Sequence, residues 1–554
     1  MRIFSLSTAV FCTLMVMVSL CQAIEDDDFK ELRDEMSREM SSFHNEIAAD
    51  FGEFRDERDR EFAEYLREQW EAFDEMAAEV SGLGPKPKVL PKKPDDPADK
   101  IRPQGNVVAP PPVIPPPAPV PVAPPITVVP PTPPAPPAPP VADIPSPPVP
   151  VKPPVPDTPP SLSPPVPVPA PEPVVPVTPL PVAPTDSQKL AQFDFYGQML
   201  KFYYDPLLVV SAPRKIDNQV MSAVWADFSK AEVSALLQGF ADVRRQWDLN
   251  DWGYYLLVRK FSGAVNKDES GSELLAWFLL VKSGYECRIA YNDADSIFLL
   301  APVRPILYGV PYLTIDGTSY FNLTCLRTGK KAGRLYSYRQ SHAASISSLD
   351  LALTKAPRLT TKPFTRTLKF DYAGTSHTVP VRVNRQVLNF FNDYPSTDFP
   401  VFFEAMVEPD SQSTLLTALA PLVAGKSETE AVNLLLRFVQ TSFEYKTDDE
   451  QFGKEKYLFV EQTLFFPYCD CEDRSILFSY LVDHLVGLKT VGLLYPGHIA
   501  VGVQFNASVS GDSVLYSGER FVVCDPTYIN ADIGMAMPQF KKTDAEVIEI
   551  SRPL

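Results

Sequence analysis

A proline-rich segment constrains this chain more than any other feature. Residues 85–184 hold 43 of the 60 prolines in the 554-residue sequence, in runs such as PPPAPVPVAPP and PPTPPAPPAPP. Proline fixes φ and has no amide hydrogen, so such a segment adopts polyproline II and packs no core. At about 3.1 Å per residue it would span up to roughly 300 Å. We predict a semi-rigid linker over 85–186, in preference to a ligand for PxxP-binding domains.

The N-terminus, residues 1–23, has the pattern of a secretory signal peptide. Arg2 precedes an apolar run that ends at Leu20, and Ala23 is a small residue suited to cleavage. An uncleaved anchor and a lipoprotein acylated at Cys21 are the alternatives, and only these two would attach the chain to a membrane. We expect an exported protein that is periplasmic, held in the cell envelope or secreted.

Residues 24–84 are predicted to form an acidic, amphipathic, coiled-coil-like helix. Apolar residues recur there every 11 positions, close to the period of a straight helix, at Phe29, Met40, Phe51, Phe62 and Phe73. Residues 25–80 also carry 21 acidic and 7 basic side chains, so they account for −14 of the chain's formal charge of −18. Leaving an aromatic ring in water forfeits roughly 1.5–3 kcal/mol. We expect residues 29–80 to self-associate or to bind an envelope partner.

Net acidity also limits the partners of the whole chain. A sequence pI near 4.9 argues against nucleic acid, because phosphate binding requires clustered Lys and Arg. A protein or peptide substrate remains the expected partner, and no cofactor or metal is expected.

The mature chain has an odd number of cysteines, at Cys287, Cys325, Cys469, Cys471 and Cys524. In an oxidising compartment an odd number leaves at least one free thiol or an intermolecular bridge. One arrangement would pair Cys287 with Cys325 and Cys469 with Cys524. That arrangement would leave Cys471 as the free thiol.

From residue 187 the composition turns globular and helix signals alternate with strand signals, which indicates an α+β fold. We divide this part into domains at 187–335 and 411–554, joined by a β-rich connector at 336–410. The connector contains a predicted β-hairpin with its turn at Gly374. His342 and His377, in the same region, are expected at the surface.

Cys471 is predicted to begin a helix in the segment PYCDCEDRSILFSYLVDHLVGL, which Gly487 ends. An earlier helix begins with a capping box of Ser427 and Glu430. A thiol at a helix N-terminus has its ionised form favoured by unpaired amides, although the flanking acidic residues oppose this. A neighbouring imidazolium would then be needed to hold a thiolate. His484 lies too far along the same rigid helix to supply it.

His498 and Asp525 are placed to complete such a site. VGLLYPGHIAVGVQF predicts two strands joined by a Pro-Gly turn, with His498 at the start of the second, and FVVCDPTY predicts a strand that ends at Asp525. A carboxylate on a neighbouring strand would orient the imidazole and stabilise its cation. Zinc held by Cys469, Cys471 and His498 is the metal alternative, although paired CxxC spacing is missing. Individually, the three candidate residues also fit a buried thiol, a strand histidine and a turn residue.

The strings CDCEDRSILF, YPGHIAVGV and FVVCDPTY resemble the transglutaminase-like superfamily, a papain-related fold. The resemblance implies Cys471 as nucleophile, His498 as general base and acid, and Asp525 as the orienting carboxylate. The sequence departs from the family pattern in having Cys469, and Ile499 where an aromatic residue is frequent. Those departures leave the substrate and the acyl acceptor open.

A degenerate internal repeat is predicted upstream. NDWGYYLLVRKF at 250–261 parallels SETEAVNLLLRF at 427–438, and the helix and strand that follow also recur. In this alignment Ser272 takes the position of Cys471, and no histidine falls near 295–300. We interpret 187–335 as a transglutaminase-like domain without its triad, the alternative being an unrelated α/β domain.

These observations predict an exported cysteine-dependent amide hydrolase or acyltransferase. Water as acceptor would make it a peptidase or amidase, and an amine would make it a transglutaminase. Secretion without recognisable calcium loops favours hydrolysis or a bacterial-type amide exchange. The alternative function is a non-catalytic envelope scaffold or adhesion protein that retains the fold for binding.

Overall fold

The computed structural model describes residues 56–77, 187–210 and 215–551. The described residues all belong to one compact unit. The predicted signal peptide and proline-rich linker lie outside the described residues. No described helix combines the length and the apolar character needed to cross a membrane.

Helices and strands alternate through the first half of the described chain. Residues 56–68 form helix α1. The elements that follow are β1 Glu71–Phe73, β2 Met76–Ala77, β3 Lys189–Phe195, β4 Gln198–Tyr204, α2 Asn218–Phe228, α3 Ser234–Gln246, α4 Asp251–Val265, α5 Glu269–Lys282, β5 Arg288–Asn292, β6 Ile297–Arg304, β7 Pro311–Ile315, β8 Thr318–Asn322, α6 Leu323–Thr328, β9 Leu335–Ser337 and β10 Leu349–Asp350.

The second half begins with a long hairpin and ends in a second sheet. Its elements are β11 Pro363–Tyr372, β12 Thr375–Asn384, α7 Arg385–Asn392, α8 Phe399–Phe403, α9 Pro409–Val423, α10 Glu428–Ser442, β13 Glu444–Tyr445, α11 Asp448–Phe452, α12 Val460–Phe465, β14 Tyr468–Cys469, α13 Cys471–Val486, β15 Thr490–Tyr495, β16 His498–Val503, β17 Ser513–Tyr516, β18 Glu519–Cys524 and β19 Glu546–Ile548.

Local sequence signals explain several of these boundaries. The predicted capping box is present at α10, where the Glu430 amide donates to Ser427 Oγ and the Ser427 amide donates to the Glu430 carboxylate. The predicted hairpin is also present as β11 and β12, and its turn contains Gly374 at φ +78°. That left-handed φ suits a residue without Cβ. Both predictions are confirmed.

Two sheets with the same strand order dominate the fold. The first runs β9-β5-β6-β8-β7 and the second β19-β15-β16-β18-β17, with antiparallel pairs throughout both orders. A packed helix pair precedes each sheet, α4 with α5 and α10 with α13, and the second helix of each pair covers the central strand. The two halves thus share the element order that the predicted repeat requires. Helices and sheets together confirm the α+β class.

The described part of the acidic N-terminal segment completes the first sheet. Strand β1 pairs with β9 and strand β2 pairs with β7, so the segment joins both edges of that sheet. Phe62 is buried, with its ring centroid 4.8 Å from that of Trp225 and 5.7 Å from that of Tyr338. The prediction of one helix over 24–84 is therefore wrong at residues 71–77, where the chain forms two strands. Hydrogen bonding to two sheet edges outweighs the helical pattern there.

A buried ion pair anchors helix α1 to the same domain. Asp59 lies 2.5 Å from Lys282 Nζ and 3.2 Å from His342 Nε2, and all three side chains are buried. The expectation that His342 lies at the surface is wrong, because this contact comes from a segment 283 residues away. His377 is half-buried against Phe370.

The five described cysteines form no disulfide and all are buried. The pairing suggested for Cys287 with Cys325 and for Cys469 with Cys524 is therefore wrong in this structure. Cys287 belongs to the main apolar core and Cys325 to a smaller cluster, so the two thiols lie in different parts of the interior. Burial raises the pKa of the Cys469 thiol to about 12, which makes it a poor nucleophile at neutral pH.

Candidate active site

Helix α13 begins at Cys471, as the sequence predicts. The Asp470 amide donates to Asp473 Oδ2 at 3.3 Å, and Gly487 ends the helix at φ +73°. Asp473 Oδ1 accepts from the Leu458 amide at 2.8 Å, which ties the first turn of α13 to the preceding loop. Cys471 is therefore held at a defined helix N-terminus, with 0% of its surface exposed.

His498 and Asp525 meet across the second sheet. His498 is the first residue of β16 and Asp525 follows the last residue of β18. His498 Nε2 lies 2.9 Å from Asp525 Oδ2, and both residues are at most 2% exposed. Asp525 Oδ1 accepts from the Thr527 amide at 2.9 Å and the Tyr528 amide at 3.1 Å. The carboxylate is thus fixed by its own turn and directed at the imidazole.

Cys471 lies at the end of α13 that is nearest to His498. Ser475 Oγ donates to the Ile499 carbonyl at 3.1 Å, one turn after Cys471 and one residue after His498. Ser479, one turn further, contacts Thr490, which pairs with Val503 at the far end of β16. Helix and strand therefore run in the same direction, and their first residues lie at the same end.

The thiol and the imidazole are not hydrogen-bonded to each other in this structure. Cys471 Sγ donates to Glu472 Oε2 at 3.2 Å. His498 Nδ1 is buried and has no hydrogen-bond partner among the described residues. In the tautomer that donates Nε2–H to Asp525, Nδ1 carries a lone pair and is able to accept a proton. The structure thus joins two of the three predicted residues directly and brings the third to the same end of the sheet.

Aromatic rings pack on the imidazole of His498. The Phe540 ring is 5.2 Å away, centroid to centroid, and inclined by 7°. Tyr495, at the other side of the hairpin turn, is inclined by 15° at 6.4 Å. Burial and the nearby Asp525 charge raise the pKa of Tyr495 to about 12. Sequence reasoning missed Phe540, because it lies in an irregular segment with no periodic signal.

Acidic side chains surround the start of α13. Asp448, Asp470, Glu472 and Asp473 are all at most 2% exposed. Burial, followed by the charges of Asp470 and Glu472, raises the pKa of Asp473 well above its usual range. These residues and Glu455 form two overlapping groups of three, with carboxylate oxygens within 4.8 Å of one another in each. Oxygen donors so arranged could hold a hard cation.

The alternative of a zinc site is not supported by the positions of its three candidate ligands. Among the described residues, Cys469, Cys471 and His498 do not form a group whose ligand atoms lie within that distance. His484 is likewise separate from the site, since its Nδ1 contacts the Tyr480 carbonyl within α13 at 3.0 Å.

Strand register relates the two sheets residue by residue. In the first sheet Leu300 pairs with Asn322, the last residue of β8. Extending the β16–β18 register by one pair joins Ala500 to Asp525. The pairs Leu300–Asn322 and Ala500–Asp525 occupy equivalent places in the two sheets. Leu300 and Ala500 each also pair with the preceding strand. Each belongs to the smaller apolar cluster on one face of its sheet.

This correspondence sets Phe298 at the position of His498 and Asn322 at the position of Asp525. Asn322 accepts from the Cys325 amide at 3.0 Å and donates to Glu75 at 2.8 Å. Ser272 is the fourth residue of α5 and accepts from Arg259 Nη1 at 2.8 Å. The first sheet therefore lacks an imidazole at this position.

Comparisons with protein-family models, with curated proteins and with solved structures found no match to this chain. The chemistry of the site is therefore inferred from its own residues.

Proposed function

We propose that the chain is an exported cysteine-dependent amide hydrolase or acyltransferase of the transglutaminase-like type. The observation that carries the proposal is the buried His498–Asp525 hydrogen bond at 2.9 Å, with the opposite ring nitrogen unoccupied at the end of the sheet where Cys471 begins its helix. A buried carboxylate that holds a histidine in this way is the arrangement used to activate a nucleophile.

The first half of the proposed reaction makes a thioester. His498 Nδ1 accepts the proton of the Cys471 thiol, and the sulfur forms a bond to the carbonyl carbon of a peptide or side-chain amide. The tetrahedral intermediate collapses as the C–N bond breaks, and His498 returns the proton to the leaving amine. Asp525 stabilises the imidazolium present between these two proton transfers.

The second half releases the acyl group. Water or an amine, deprotonated by His498, attacks the thioester carbonyl and the C–S bond breaks, which restores the Cys471 thiol. Water gives hydrolysis and an amine gives transamidation. Burial of all three side chains favours whichever acceptor enters with the substrate, because bulk water is excluded from the closed site.

The catalytic reading requires one local rearrangement. The Cys471 proton must leave the Glu472 carboxylate and reach His498 Nδ1, which a rotation about the Cys471 side chain would begin. Hydrogen bonds in a resting site often tighten only when substrate binds.

Reaction with a thiol-directed chloroacetamide tests the proposal. We expect the mature protein to be labelled at Cys471, with at least a tenfold slower rate in His498→Ala because the base is lost, and no labelling at that site in Cys471→Ala. His484→Ala, on the same helix as Cys471, is the matched histidine control and should label at the wild-type rate. Equal rates in wild type and His498→Ala would overturn the proposal.

The second candidate is a non-catalytic scaffold or adhesion protein. It is favoured by the thiol's hydrogen bond to Glu472 rather than to the imidazole. On this account, labelling at Cys471 would be slow in the wild type and unchanged by His498→Ala, so the same experiment separates the two functions.

A further inference from the structure

We propose that Gln440 is a positioning residue of the active site, which holds the Asp525 turn against the helix that carries Cys471. The proposal rests on the proposed function, since Asp525 would act in catalysis only through the imidazole that it orients. Gln440 lies in α10, a helix to which the sequence assigns no part in the chemistry.

The Gln440 amide binds the whole turn that begins at Asp525. Its Nε2 lies 3.1 Å from the Asp525 carbonyl, 2.9 Å from the Tyr528 carbonyl and 3.0 Å from the Ala531 carbonyl. Its Oε1 accepts from the Asn530 amide at 3.2 Å. Gln440 is 1% exposed, and its removal would take away the side-chain partner of the Asn530 amide and of the Ala531 carbonyl, both in buried residues. The Asp525 and Tyr528 carbonyls would still accept from the Tyr528 and Ala531 amides.

A buried guanidinium ties Gln440 to the nucleophile helix. Arg474 lies three residues after Cys471 in α13 and is fully buried. Its Nη1 donates to the Gln440 carbonyl at 3.2 Å and its Nη2 to the Phe443 carbonyl at 3.0 Å. A cation at these last carbonyls of α10 also complements the helix dipole. The main chain of Gln440 is thereby fixed to α13, while its side chain holds the Asp525 turn.

The orientation of the carboxylate depends on that turn. Asp525 Oδ1 is held by two amides of the turn itself, so the carboxylate moves with the turn as one body. A displacement of the turn would therefore pull Oδ2 away from His498 Nε2. Small shifts of this kind impair catalysis strongly, because the imidazole must be held in one tautomer and one orientation.

The first half of the molecule offers an internal comparison. Helices α4 and α10 each contain 15 residues and begin after a capping side chain, Asn250 and Ser427 respectively. Counting 13 residues from each cap reaches Gly263 in the first half and Gln440 in the second. The first half, which has Phe298 at the position of His498, therefore also lacks a side-chain amide at the position of Gln440. A glutamine here is not needed for the shared strand order.

The test measures alkylation of Cys471 by iodoacetamide in the full-length mature protein, by peptide mass at pH 6 and pH 9. We expect Gln440→Met to slow the reaction about tenfold or more at pH 6, where a thiol reacts well only with a working imidazole partner, and by about twofold or less at pH 9. The isosteric Gln440→Glu, which loses the Nε2 donors, should behave in the same way. In an Asp525→Ala background, Gln440→Met should cause no further loss, because the two residues act through one route.

Gln462→Met is the matched control. Gln462 is also a fully buried glutamine, but it bonds the Phe459 amide and Asn392 and does not contact the Asp525 turn. We expect the ratio of rates at the two pH values to stay at the wild-type value in this variant.

Two outcomes would overturn the proposal. One is the wild-type rate ratio in both Gln440 variants. The other is that Gln440→Met slows alkylation at pH 6 by the same factor in wild type and in the Asp525→Ala background, which would indicate general disruption of the fold. If His498→Ala also reacts at the wild-type rate at pH 6, the proposed function fails and this inference fails with it. A slow His498→Ala beside normal Gln440 variants would remove this inference alone.

Discussion

Among single residues, the candidate site combines three side chains at the boundaries of helices and strands with supporting side chains from distant parts of the chain. Cys471, His498 and Asp525 each sit at a boundary that a short motif marks: a helix start, a Pro-Gly turn and an Asp-Pro turn. Phe540 and Gln440 contact the site from 42 and 85 residues away. No sequence motif connects Phe540 or Gln440 with the site, so their contacts are found only in the folded structure.

Buried carboxylates set the pH dependence of stability, and Glu461 is the clearest case. Burial raises its pKa to about 7, and the hydrogen bond that it accepts from the Glu408 amide only partly offsets this. Because the folded-state pKa lies above the ordinary value of 4.5, its contribution to stability is full below about pH 4.5. That contribution is lost as the pH rises through about 7.

Glu461→Gln should therefore flatten the pH profile. The amide keeps an acceptor for the Glu408 amide but carries no charge, so we expect the variant to be more stable than wild type at pH 8, by at most about 3 kcal/mol. Urea unfolding at pH 5 and pH 8 measures this. Glu430 is the opposite case, because its hydrogen bonds from Ser427 lower its pKa and so favour the charged carboxylate. Glu430→Gln should therefore be less stable than wild type at pH 8. A Glu461→Gln variant that is less stable to urea than wild type at pH 8 would contradict the raised pKa of Glu461.

At the scale of elements, the strongest departure from the sequence prediction is the N-terminal segment. Its 11-residue period correctly indicates helix over 56–68, and fails over 71–77 because two sheet edges satisfy the backbone better than further helical turns. Hairpins and capped helices were predictable because their signals are local. Closure of a sheet by a segment more than 200 residues away is not.

Phe62 should be the main apolar anchor of that segment. Truncation of this buried ring beside Trp225 and Tyr338 leaves a cavity, so we expect Phe62→Ala to cost about 3–5 kcal/mol of stability. Glu64→Ala, exposed on the same helix, is the control and should change stability little. Urea unfolding, with hydrogen exchange at β7 and β9, would report the loss. Equal stability of the two variants would indicate that the segment does not dock on its own chain in solution.

At the scale of the whole molecule, the acidic segment and the proline-rich linker carry the unusual composition and the second sheet carries the candidate chemistry. The part of the acidic segment over 56–77 is docked on the first sheet. The prediction that residues 29–80 associate with another copy or an envelope partner therefore falls mainly on 29–55, which lie outside the described residues.

Deletion of residues 25–55 tests that prediction. If they associate through their apolar stripe, the full-length mature protein should be an oligomer in light scattering and the deletion variant a monomer with an unchanged first sheet. Raising the salt concentration should strengthen the association by screening the repulsion among acidic side chains. A full-length protein that is monomeric at every salt and protein concentration tested would contradict self-association.

The two halves differ at the positions to which the proposed function assigns the chemistry. The shared strand order accompanies different residues at the triad positions, with Phe298 and Asn322 in the first half and His498 and Asp525 in the second. A common fold does not determine activity, so the chemistry has to be argued from the second site alone.

Acyl transfer to Cys471 would show directly that its thiol acts as a nucleophile. On mixing with p-nitrophenyl acetate, the wild type should release a rapid burst of one equivalent of nitrophenol and carry one acetyl group on the peptide that contains Cys471. Cys471→Ala should give no burst, and His498→Ala a burst slower by about tenfold or more. Absence of a burst in the folded wild type, or an acetyl group only on other residues, would show that Cys471 is not the nucleophile.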